Sequence, residues 1–113
     1  MAKIEYELQG NYSNILSELD AAVLKGSISA SLEDSSDFNI GASRCSVRVY
    51  ERYSVLGGNR VSMSLTLYTA EDRIFLTAIT SGGSQAVFFK INTIGEENFL
   101  DTVREVIDQY KKP

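Results

Sequence analysis

The stretch SRCSVRVYERYSVLGGNRVSMSLTLYT, residues 43–69, constrains the fold more than any other part of the chain. Two runs of alternating apolar and polar residues flank Gly57-Gly58-Asn59, and a period of two marks strands that bury one face. Only those three residues accept positive φ at little cost, so the stretch reads as a β-hairpin with a three-residue loop. Such a loop sets Val55 opposite Val61, Tyr53 opposite Met63 and Val49 opposite Leu67, which keeps apolar residues of both strands on one side.

A second hairpin is expected around Gly82-Gly83 in AITSGGSQAVFFKIN. A two-residue turn there pairs Ile74 with Ile91, Leu76 with Phe89 and Ala78 with Val87, an entirely apolar face. A phosphate loop would need a lysine and a helix straight after the glycines, whereas a strand-like run follows.

Upstream, Ile4, Tyr6 and Leu8 alternate with Lys3, Glu5 and Glu7, predicting a strand over 2–9. Ile15, Leu16, Leu19 and Val23 then recur at helical spacing, with Ser13 as N-cap and Lys25-Gly26 as the ending. Ser27 to Glu33 alternates again, placing Ile28 on the core side, before EDSSDFNIGAS reads as an acidic loop. At the other end, Thr93-Ile94-Gly95-Glu96 has capping-box spacing, and Phe99, Leu100, Val103, Val106, Ile107 and Tyr110 form one helical stripe. The order β-α-β-β-β-β-β-α predicts an α+β two-layer sandwich: a mostly antiparallel sheet of five or six strands with two helices on one face. That order resembles the TATA-binding-protein-like and helix-grip plan, a likeness of shape that carries no function.

With 113 residues and 43% hydrophobic composition, the chain reads as one domain, residues 1–113, with enough apolar side chains for a core. No apolar run approaches the roughly 20 residues that span a bilayer. Cys45 is the single cysteine and the first residues lack a basic and apolar leader, so a cytoplasmic setting is expected, with no membrane partner. The net charge of −4 disfavours the general attraction that drives nucleic-acid binding. Histidine is absent, which removes the usual general base and the commonest metal ligand. Catalysis, metal and cofactor are therefore not expected. Cys45 falls on the apolar parity and reads as inert packing. The acidic set Glu33, Asp34, Asp37, Asn39 and Gly41 lacks the order and distal glutamate of a calcium loop.

If both helices cover Ile4, Val47, Val49, Leu65, Leu67, Leu76 and Phe89, alternation assigns Arg44, Arg48, Tyr50, Arg52, Tyr68 and Lys90 to the open sheet face, with Phe75, Ile79 and Phe88. Arginines four apart on a strand are about 13 Å apart, a stripe suited to an extended anionic ligand or protein partner, with Tyr50 and Tyr68 for stacking. Phe75, Ile79 and Phe88 form an apolar set that calls for a cover, for which a homodimer is the first expectation. Glu51 falls on core parity and implies a bulge, strand-end exposure or a buried acid.

The segments GSISASLEDSSDF, VRVYERYSVLGGNRVS and RIFLTAITSGGSQAVFFKINTIGEENFL together resemble a family of small uncharacterised proteins of Gram-positive bacteria, classed as a domain of unknown function. The resemblance implies a bacterial origin and supplies no activity and no site residues. The expected function is thus a non-enzymatic binding or interaction module that uses the outer sheet face. The alternative is a small-molecule or lipid-binding helix-grip domain with a pocket between the C-terminal helix and the sheet, near Tyr6, Tyr53 and Glu51.

Overall fold

The computed structural model describes residues 1–54, 59–82 and 89–113. Strands β1 (Ala2–Leu8), β2 (Ser31–Ile40), β3 (Ser43–Ser54), β4 (Asn59–Ala70) and β5 (Arg73–Gly82) form one antiparallel sheet in the order β1-β5-β4-β3-β2. Helices α1 (Tyr12–Lys25), α2 (Phe89–Asp101) and α3 (Arg104–Tyr110) complete the α+β fold. None of the described helices is long and apolar enough to cross a membrane.

The apolar sets of β4, β5 and α1 lie where alternation and helical spacing put them. Val61, Met63, Leu65 and Leu67 of β4 and Ile74, Leu76 and Ala78 of β5 are buried against Ile15, Leu19 and Val23 of α1 and Phe99, Leu100 and Val103 near the C-terminus. Asn11, two residues before the expected Ser13, caps α1: its side chain accepts from the Asn14 amide at 2.9 Å. At the other end Gly26 donates to the carbonyls of Ala22 and Val23.

The first hairpin exists in a different register. Tyr50 stands opposite Met63, Arg48 opposite Leu65 and Ser54 opposite Asn59, so Asn59, expected in the loop, belongs to β4, and the expected loop residues Gly57 and Gly58 lie outside the described residues. Even residues of β3 therefore share the helix side with odd residues of β4, and the expected assignment of β3 is inverted. Both parities of β3 carry strand formers, so its own alternation does not decide between them. Partners on α1 decide. The Tyr12 hydroxyl, 2.6 Å from the Leu67 carbonyl to which it donates, also lies 2.9 Å from Ser46 Oγ, and the Tyr50 hydroxyl donates to Asp20 Oδ1 at 2.7 Å. Tyr50 and Ser46 are buried by this, each with its polar atom satisfied.

Two further expectations are corrected. The acidic segment is edge strand β2, paired to β3 from Ser31 opposite Glu51 to Ile40 opposite Ser43, with a register shift between Leu32 and Asp34. Nearly all of it is exposed, so backbone pairing rather than apolar alternation specifies it, and periodicity has nothing to detect there. Ile28 lies before this strand and is fully exposed. The second hairpin is absent because both edges of β5 are occupied: by β4, and by β1 through Ile4 opposite Ala78 and Leu8 opposite Ile74. Residues Phe89–Ile91 begin α2, while residues 83–88, with Gly83 of the expected turn, lie outside the described residues.

The real turn of that region is Glu71-Asp72, joining β4 to β5 with φ of 53° and 61° at its two residues. That is the left-handed geometry a two-residue hairpin favours, reached here without glycine. The capping-box reading of Glu96 is also replaced. Glu96 sits inside α2 with 4% exposure, accepts from the Gly82 amide at 2.9 Å, and takes Thr80 Oγ1 on its backbone carbonyl at 3.1 Å. It ties the end of β5 to the helix layer.

Candidate interaction surface

Because the helices lie on one side, the other face of the sheet has no cover within the described residues. Its content follows from the strand registers. One row runs across all five strands: Glu7, Phe75, Tyr68, Cys45 and Phe38, each directly opposite the next. The next row is Glu5, Thr77, Thr66, Val47 and Ser36, and the one beyond it is Lys3, Ile79, Ser64, Val49 and Asp34. Neighbouring strands are about 4.8 Å apart, so the side chains of a row touch or nearly touch.

Aromatic and aliphatic groups stand out of this face. Phe38 is 53% exposed, Ile40 77%, Tyr68 43% and Phe75 41%. Tyr68, on the central strand, is a ridge between two grooves. One, of about 470 Å³, is lined by Glu5, Glu7, Thr66, Phe75 and Thr77 and bordered by Tyr6 and Leu76; the other, of about 260 Å³, is lined by Phe38, Ile40 and Cys45 and bordered by Ser43 and Arg44.

Among the described residues, Glu5, Glu7 and Glu51 of this face are matched by cations, and Asp34 at the β2 edge is not. Glu7 accepts from Arg73 at 2.9 Å and lies 3.3 Å from Lys112 Nζ, and the Arg73 hydrogen bond first among these holds its carboxyl down to about 2. The Arg73 guanidinium in turn lies 4.9 Å from the centre of the Phe75 ring. Glu5 accepts from Thr77 Oγ1 at 2.6 Å and lies 3.7 Å from Lys3; the Thr77 bond and then Lys3 lower its pKa. Glu51, expected on core parity, is on this face and pairs with Arg60 at 2.6 Å. Exposure near the strand end accounts for it, and the ladder between β3 and β4 runs unbroken through it. Cys45 also belongs to this face, half-buried between Phe38 and Tyr68, and is not core packing.

The chain belongs to the family of unknown function DUF6054. The family match covers residues 1–111. No curated protein matches the chain. Among solved structures it is similar to a protein of unknown function from Pseudomonas aeruginosa, with a TM-score of 0.51 at 9% identity over 85% of this chain and 78% of that one. The likeness concerns the fold alone.

In this DUF6054 chain the expected arginine stripe is not on the open face. Arg44 lies over the Tyr12 ring at 4.3 Å and donates to Ser13 Oγ at 3.2 Å. Arg48 donates to Asp37 Oδ1 at 3.1 Å and to the Val47 carbonyl at 3.0 Å. Arg52 lies over Phe99 at 4.9 Å, where burial lowers its pKa. Arginine stems are long and aliphatic, so a guanidinium can reach the rim of the helix layer, as Arg44 and Arg52 do over their aromatic rings, and arginine on the core side of a strand is not a contradiction. Tyr50 is buried on the same side, and burial and Asp20 push its hydroxyl well above the ordinary tyrosine value. Lys90 belongs to α2.

Of the remaining expected residues, Tyr68, Phe75 and Ile79 are on the open face as alternation requires. Phe88 lies outside the described residues. The alternative pocket does not assemble, since Tyr53 and Glu51 lie on the open face while Tyr6 is on the helix side, beside Lys111. Asp34 and Asp37 point to opposite faces of β2, and the described residues contain no cluster of three or more metal-binding side chains. Sequence reasoning misses Phe38, Ile40, Val47 and Val49 as members of the surface. The first two fall in a segment that reads as a loop, and the last two take the opposite parity in the expected register.

Proposed function

We propose that this chain is a non-enzymatic interaction module whose working surface is the open sheet face. The observation that carries the reading is the unbroken row Phe38, Cys45, Tyr68 and Phe75, set across four adjacent strands with a groove on either side of Tyr68. An ordinary solvated face carries scattered apolar residues, whereas a contiguous set bordered by polar groups fits an interaction site. The helix side supports the same reading: Leu65, Leu67, Ala78, Phe99 and Val103 are fully buried, as in a filled core. A protein partner suits this surface better than an anionic ligand, because Arg44 and Arg48 are engaged within the fold. A bacterial, cytoplasmic setting belongs to the same proposal; its cytoplasmic part is supported by the single cysteine, which can form no disulfide within the chain.

Cys45 supplies the test, because it is the only thiol and lies within the row. Its alkylation rate is measured by mass spectrometry in dilute purified protein and in extract of the source cells. An occupied face slows alkylation by about tenfold or more, as masking of a thiol entails. Equal rates in the two settings overturn the proposal.

A further inference from the structure

We propose that the occupant of the open face is a second copy of this chain, packed sheet against sheet about a two-fold axis. The inference rests on the reading of that face as an interaction surface, and four features of the molecule select this partner.

The first is charge. The chain carries a net charge of −4, yet the carboxylates of Glu5, Glu7 and Glu51 are each paired to cations of the same chain. Nucleic acid or an anionic membrane needs unpaired cations, and a basic partner needs unpaired acids. A second copy brings a surface matched in the same way over β1, β4 and β5, and docking it leaves the paired charges at the rim in water, with Asp34 at the β2 edge the one acid of the described rows that has no cation partner.

The second feature is relief. Tyr68 is a ridge on the central strand with a groove on each side. An isologous interface requires a patch that complements itself, and a ridge beside a groove does so: each Tyr68 enters the groove next to its counterpart.

The third is area. Five strands at about 4.8 Å spacing, each presenting about 25 Å of length, give a face on the order of 600 Å². A standard interface buries about 800 Å² per partner, so the face together with its rim reaches the size of a specific if modest dimer.

The fourth is that the sheet edges are guarded against association. The C-terminal residues cover the end of β1, where the Lys112 amide donates to the Glu7 carbonyl at 2.9 Å and Leu8 bridges to Lys111. At the other edge β2 has a register shift and carries Glu33, Asp34 and Asp37 with no lysine or arginine. Two such edges side by side would place like charges together, a recognised guard against edge pairing. Association is left to the face, where aligned sheets pack about 10 Å apart.

Sedimentation equilibrium from about 1 to about 100 μM, with Cys45 alkylation followed over the same range, tests the proposal. Wild type is expected to pass from monomer to dimer, with alkylation slowing in step. Tyr68→Glu should weaken association by about tenfold or more, as loss of a central aromatic anchor does. Ile28→Ser, which alters an exposed apolar group away from the face, should leave it unchanged. Tyr68 is 43% exposed, so Tyr68→Glu is expected to stay folded, and Phe75→Ser, judged by the same criterion, serves as a second anchor variant.

A wild type that stays monomeric at about 100 μM overturns the proposal, as does a dimer indifferent to both anchor variants. A monomer whose Cys45 is nonetheless shielded in cell extract also overturns it, and leaves the interaction module standing with a different protein as partner.

Discussion

The two faces of the sheet share the same backbone and differ in what finishes them. On the helix side the row Leu76, Leu67 and Ser46 is sealed by α1, and each buried polar group there has a partner: Ser46 with Tyr12, Thr80 with the Glu96 carbonyl, Glu96 with the Gly82 amide. One residue along the same strands, Phe75 and Tyr68 are left partly exposed with Phe38 of β2, although they are as apolar as much of the core. Hydrophobicity per residue therefore does not separate the faces. Cover does, because only surface removed from water contributes to folding, at about 25 cal/mol per Å².

The comparison breaks most visibly by truncation. Leu65→Ala, at a fully buried position on β4, should lower unfolding free energy by about 3 kcal/mol in urea titration. Phe75→Ala removes a larger side chain from the open face and should cost less than about 1 kcal/mol in dilute protein, because it was never fully taken from water. Similar losses at the two sites would mean that the open face is as well covered as the core.

A pair of tyrosines sharpens the contrast at smaller scale. Tyr50→Phe deletes a hydroxyl that donates to Asp20 at a buried site and should cost about 1 kcal/mol. The same change at Tyr68, which is 43% exposed, should be neutral for stability within the error of the titration. Thermal or urea unfolding of both variants checks this. A neutral Tyr50→Phe would undo the account of why β3 turns its even residues inward.

The smallest effect concerns pH. Glu7, on the rim of the open face, has its carboxyl held at about 2 against an ordinary 4.5, first by the Arg73 hydrogen bond. The unfolded chain takes up this proton at the higher pH, so the ion pair contributes fully above about 4.5 and its contribution is lost as pH falls toward 2. The pair is exposed, so the effect is modest and screened by salt. NMR titration should place the Glu7 midpoint at about 2, and Glu7→Gln should flatten the acid side of the stability profile between those values. A midpoint near the ordinary value would remove the pairing with Arg73.

Much of the helix side is legible in the order of residues alone. The stripes of α1 and of the C-terminal segment, the core parity of β1, β4 and β5, and the open-face positions of Tyr68, Phe75 and Ile79 all follow from local periodicity. The arginines and Val47 and Val49 are not legible in this way. Their placement depends on register, and in β3 both registers offer strand-forming residues. Phe38 and Ile40 are hidden because an edge strand exposed on both sides has no apolar alternation to display.

By itself, then, the sequence determined the class of fold, the element types over its strongly periodic segments, and an absence of histidine chemistry, because these depend on composition or on residues a few positions apart. Tertiary structure alone decided the pairing of β1 with β5, the inward turn of Tyr50, the burial of Glu96 and the row from Phe38 to Phe75. Each of these joins residues that are distant along the chain, and each is selected by which partner can satisfy a buried hydroxyl, an amide or an unpaired strand edge. Such a choice is a competition among long-range contacts, and no local pattern records its outcome.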